Sequence, residues 1–168
     1  MQYAGWMMAA LLATTPAQAR AAEVEFQGQA IEVDGSADAR QVLRVRGKRY
    51  SIPGTPAQVV GKAQMCLVRK DSGAGIASTD PAGGRLAAVV RVDYAAEPRS
   101  GTVKAWLAVE AGEHNFTVII SKLGTTQRSA GDDEEVFSPL LTRRDSGWEL
   151  ALAAVIKIEQ ALVECMYS

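Results

Sequence analysis

Two cysteines, Cys66 and Cys165, are the only pair in this chain able to form a covalent cross-link. An even pair in a chain bound for an oxidising compartment is normally bonded. A disulfide closing so long a loop stabilises a fold by roughly 2–5 kcal/mol. The other arrangement is two separate buried thiols behaving as small hydrophobes. No C-x-x-C is present, which argues against a redox-exchange pair. His114 is the one histidine, so any Ser-His-Asp or Cys-His machinery would have to use it. It sits in Glu113-His114-Asn115 beside a turn, no G-x-S-x-G accompanies it, and it reads as an exposed hairpin histidine. One His and two Cys fall short of the four ligands of a structural zinc site. The run Asp132 to Glu135 would attract Ca²⁺ only with alternating Asp or Asn ligands and a glycine, which it lacks, so it reads as a solvated loop. The glycines at 73, 75, 83 and 84 match no phosphate-binding fingerprint. Asn115-Phe116-Thr117 is formally a glycosylation sequon, which would be silent if the protein were bacterial. The residues therefore point to no catalytic group, no metal ligand and no cofactor.

The elements that must position these residues follow from periodicity. Val24 to Phe26 and Ala30 to Val33 are short β-prone runs around Gly28, with Asp34-Gly35 as a turn signal. Gln41 to Ile52 alternates apolar and basic residues and reads as one bent strand, or a hairpin turning at Gly47. Thr55-Pro56-Ala57-Gln58 is a capping box with proline at the first helical position. Val59, Val60, Ala63, Cys66 and Leu67 then mark the apolar stripe of a helix reaching about Lys70. Asp71 to Gly75 ends that helix, and Asp80 to Gly84 is a turn between two β runs.

A three-strand meander follows, with apolar faces on Leu86 to Tyr94, Val103 to Val109, and Phe116 to Ile120. Glu97 to Gly101 and Ala111 to Glu113 are its turns. The stretch Gly124 to Arg144 is polar, irregular and long for a connection. Ser146 to Glu149 reads as a second capping box, opening a helix whose stripe is Leu150, Ala154, Ile158, Ala161, Leu162 and Cys165. The expected fold class is α+β: a single antiparallel sheet with two helices packed on one face. Two helices side by side would bring Cys66 and Cys165 within reach of each other.

Alternation also defines the other side of the meander. Arg85, Val89, Arg91, Lys104, Trp106, Thr117, Ile119 and Ser121 share the face away from the helices. Of these, Arg91, Lys104, Trp106 and Ile119 form the candidate partner face, because Trp and Arg are enriched where proteins bind one another. The competing reading packs Trp106 under the stretch from Gly124 to Arg144 or under the first strands.

The 168 residues are 48% hydrophobic and 22% charged, which fits one domain with its own core. Lys and Arg number 18 against 19 Asp and Glu, a balance that argues against a dedicated nucleic-acid binder or a polybasic membrane module. Tyr3 to Ala13 is an apolar run too short to span a bilayer, and it precedes Pro16 and Ala17-Gln18-Ala19. Residues 1–21 therefore read as a cleavable signal peptide and 22–168 as the mature domain, with cleavage after Ala19 or Ala21. No later segment is apolar enough for a transmembrane helix, and the expected location is the periplasm of a Gram-negative bacterium.

The order of elements resembles an uncharacterised family of secreted bacterial proteins, a domain of unknown function with a TATA-box-binding-protein-like fold. The resemblance is carried by YSIPGTPAQVVGKAQMCLV, GGRLAAVVRVDY, TVKAWLAVEAGEHNFTVIIS and WELALAAVIKIEQALVEC, and spans about Lys48 to Cys165. It implies fold alone, since that family has no established catalytic residues. The functional expectation is a non-enzymatic secreted protein that binds an envelope protein or small ligand, or a second copy of itself, through the open sheet face. The rival is a secreted hydrolase or hydrolase inhibitor with a carboxylate site near the acidic loop.

Overall fold

The computed structural model describes residues 21–36, 38–69, 73–96, 99–127, 136–144 and 146–168. The signal-peptide reading through residue 20, the turns at Asp71-Ser72 and Glu97-Pro98, and the acidic run Asp132 to Glu135 lie outside the described residues.

The chain runs β1 (Ala22–Phe26), β2 (Gln29–Ser36), β3 (Ala39–Ser51), α1 (Pro56–Arg69), β4 (Ala74–Asp80), β5 (Arg85–Ala96), β6 (Arg99–Gly112), β7 (Asn115–Gln127), β8 (Ser138–Pro139) and α2 (Trp148–Tyr167). The strands form one open antiparallel sheet in the order β1-β2-β3-β7-β6-β5-β4, with β8 beside β7. Alternate residues of β5, β6 and β7, from Leu86, Val103 and Phe116 onward, are buried on one side, and both helices pack there. The sheet bends through bulges that insert extra residues in β3 near Gly47, in β4 and in β7. The bend lets α2 reach across it: Trp148 meets Phe26 of β1 with ring centroids 5.4 Å apart, and the Tyr167 hydroxyl donates to the Ser51 carbonyl at 2.7 Å.

The first helix begins as its sequence dictates. Thr55 N–H donates to Gln58 Oε1 at 2.9 Å, and Gln58 N–H donates to Thr55 Oγ1 at 3.4 Å. Cys66 on its buried side is bonded to Cys165 of α2, with Cα atoms 5.8 Å apart, so the two helices are cross-linked over 99 residues of chain.

Four local expectations need correcting. The strand through Asp34 and Gly35 continues to Ser36, so the β2–β3 turn lies beyond the expected turn residues. The second capping box does not form: α2 starts one residue later, with Gly147 at φ 70° as its cap, and the Ser146 hydroxyl donates to the Leu141 and Arg143 carbonyls. The buried stripe of α2 is rotated from the expected one, for Leu150 is 45% exposed while Ala151, Leu152, Val155, Ile156 and Glu159 are buried. Finally, β7 runs on to Gln127, and Ser138 to Thr142 is ordered as a wedge.

That wedge fills the space where β3 and β7 part beyond Arg44 and Ser121. Leu140 N–H donates to the Leu123 carbonyl of β7 at 3.0 Å, and the Leu140 carbonyl accepts from Val42 N–H of β3 at 2.9 Å. Thr142 N–H donates to the Arg40 carbonyl at 2.7 Å. The Leu140 side chain is 2% exposed, so the wedge also closes the core.

Candidate functional site

The face away from the helices is built by residues that the register sets side by side. One row across the strands is Arg44 of β3, Ser121 of β7, Trp106 of β6 and Val89 of β5. The next row is Arg46, Ile119, Ala108, Ala87 and Ser78, and a third is Arg49, Thr117, Glu110, Arg85 and Asp80. The middle row has small side chains from β6 to β4, so the face is hollowed there. Ser78, Arg85, Ala87, Ala108 and Glu110 help line a depression of ≈ 250 Å³.

Arg91, Lys104, Trp106 and Ile119 all lie on this open side, and the structure places Arg91 opposite Lys104. Both cations sit over the Phe137 ring, at 5.3 and 5.6 Å from its centroid, so the stretch after β7 covers that corner of the face. Trp106 is half-buried, with the Lys122 ammonium 4.7 Å from its ring centroid. Lys122 reaches it from the β7 bulge, where its φ is 51°. Trp106 therefore lies against a lysine of its own sheet.

Periodicity missed the cations of β3. Arg44, Arg46 and Arg49 stand on the same open side, and Arg46 and Arg49 are exposed. Three residues apart, the latter two would face opposite ways in a regular strand; the bulge at Gly47 and Lys48 brings them to one side. Arg44 contacts Glu32 of β2 at 3.4 Å, a half-exposed pair that adds little stability.

A second polar group also escaped sequence reading. Glu159 of α2 is fully buried, accepting from Gln29 Nε2 at 2.9 Å and from the Tyr50 hydroxyl at 3.2 Å. Burial pushes its carboxyl above the ordinary carboxylate value, against the lowering effect of those two bonds. Burial, reinforced by the nearby Glu159 charge, pushes Tyr50 up to about 12. Gln29 Oε1 is buried without a partner among the described residues. This trio ties β2 and β3 to α2, with the Glu159 carboxyl fully buried.

His114 lies in the β6–β7 turn at φ 58°, exposed, with its carbonyl accepting from Ile52 N–H at 3.0 Å. Among the described residues no cluster of three or more His, Cys, Asp and Glu groups is set to hold a metal, and no helix is long and apolar enough to cross a membrane.

The architecture now has counterparts. No family model and no curated protein matches this chain. Among solved structures it is similar to a TBP-like protein from Parabacteroides distasonis, with 10% identity over 74% of this chain and 94% of that one, at a TM-score of 0.58. It is also similar to a DUF4468 family protein from Bacteroides ovatus, with 18% identity, coverage of 74% and 87%, and a TM-score of 0.49. The fold is thus TBP-like α+β, as the resemblance in the sequence implies. At such identities the likeness speaks for the fold alone.

Proposed function

We propose that the mature chain is a small periplasmic protein of non-enzymatic type, exported by its first 21 residues, that binds an envelope protein or small ligand through the open sheet face. One observation carries this reading: the side of the sheet away from both helices sets Trp106 and Ile119 among Arg46, Arg49, Lys104 and Lys122. Aromatic and aliphatic area rimmed by cations is what protein interfaces use, because apolar contact supplies the energy and the charges select the partner. The Cys66–Cys165 bond supports the compartment, since such bonds persist where thiols are not kept reduced.

The test replaces Trp106 and Arg91 with alanine together and compares capture of partners from an envelope extract. Loss of capture at an unchanged melting temperature is the expected result. Undiminished capture by the variant would overturn the reading.

A further inference from the structure

The charges of the open face are unevenly placed. Although acidic residues slightly outnumber basic ones in the whole chain, β3 presents Arg44, Arg46 and Arg49 together along one side of the sheet. From Arg46 the middle row runs through Ile119, Ala108 and Ala87, aliphatic and low, toward the depression at β4 and β5. Five neighbouring strands at about 4.8 Å each make this path roughly 20 Å long, the reach of about six extended residues.

We propose, building on the binding role assigned above to this face, that its occupant is an acidic peptide segment lying extended across the strands. Its carboxylates pair with Arg46 and Arg49, and its aliphatic side chains rest over Ile119, Ala108 and Ala87. Arg44 already meets Glu32, and Glu23 and Glu25 of β1 lie beyond it on the same side, so charge complementarity selects an anionic partner through Arg46 and Arg49 alone, whose forks suit carboxylates. The aliphatic path selects a peptide over a uniformly charged polymer, which would gain nothing from those three residues. A base-stacking ligand is disfavoured because Lys122 already occupies one face of the Trp106 ring. A membrane surface is disfavoured because the large apolar groups here are half-buried between cations rather than projecting.

Fluorescein-labelled hexapeptides of alternating Glu and Leu, alternating Lys and Leu, and Glu alone serve as probes, titrated by anisotropy with the disulfide-intact protein. The Glu–Leu peptide is expected to bind at least about tenfold more tightly than either of the others. The Arg46→Glu, Arg49→Glu double variant should weaken it by about tenfold or more without moving the melting temperature, since both side chains are exposed. Ala108→Phe, which fills the path, should weaken it as well while leaving the arginines in place. Equal binding of the Glu–Leu and Glu-only peptides would overturn the peptide path. So would unchanged binding by the double arginine variant, no binding of the Glu–Leu peptide, or a stronger preference for phosphatidylglycerol vesicles. Should these fail while the Trp106 and Arg91 double variant still loses its partner, the acidic occupant is wrong and the binding face stands. If that variant keeps its partner, the face itself is wrong.

Discussion

Gly47 of β3 lies directly against the buried carboxyl of Glu159, and a Cβ at Gly47 would overlap that carboxyl and come to 3.0 Å from the Val118 carbonyl oxygen. The glycine is therefore required by a side chain more than a hundred residues further along the chain. Gly47→Ala should destabilise the fold by about 1–3 kcal/mol through overpacking, read as a lower midpoint of urea unfolding. Glu159→Ala made in the same background should lower stability by less than the two single changes added together, because the two side chains then no longer compete for one space.

The same carboxyl makes stability depend on pH. Glu159 is raised above its ordinary value of 4.5 in the folded chain, so the folded state holds the proton more tightly than the unfolded one. The stability it contributes is complete below 4.5 and is lost as pH rises through the raised folded value. Melting temperature measured across this window should show that falling limb in the wild type, and Glu159→Gln should lack it. Glu159→Ala should instead cost about 1–3 kcal/mol at low pH, because it leaves the buried Gln29 amide and the half-buried Tyr50 hydroxyl without their acceptor, and the cost should shrink as pH rises through the same window.

The cross-link between α1 and α2 closes a loop of 99 residues. Replacing Cys66 and Cys165 together by alanine should remove roughly 2–5 kcal/mol, because the unfolded chain regains the freedom the bond denies it. Reduction of the wild type should lower its melting temperature to match. A reduced protein melting with the oxidised one would show the bond to be unimportant for the fold.

Leu140 joins β3 and β7 through its backbone and plugs the core with its side chain, so a stretch read as irregular carries structural weight. Leu140→Ala should cost about 2–5 kcal/mol, the range for an aliphatic side chain removed from a packed core. Calorimetry checks it, and a loss under about 1 kcal/mol would mean that the wedge is only draped over the sheet.

What was legible in the sequence, and what was not, divides along physical lines. Alternation in β5, β6 and β7 placed Arg91, Lys104, Trp106 and Ile119 on one side, because a period of two holds as long as a strand is regular. The arginines of β3 were hidden twice. The bulge at Gly47 resets the alternation between Arg46 and Arg49, and nothing local announces that β3 pairs with β7. The cap at Thr55 was readable because its partner Gln58 is three residues away. The one at Ser146 misled, because Gly147 in a left-handed conformation starts the helix instead. The buried face of α2 was misread because Leu150 through Ile156 is an unbroken apolar run that offers several equivalent stripes. Glu159 within that face looks solvated until Gln29 and Tyr50, 130 and 109 residues away, are brought to it.

The most direct test of the binding face places a photo-crosslinking amino acid at Val89, in the Trp106 row of the open side, and separately at Gln160, exposed on α2. In cells that make the full-length chain, irradiation should yield a discrete cross-linked species from position 89 and none from position 160. Cross-links from position 160 alone, or identical products from both, would contradict recognition through the open sheet.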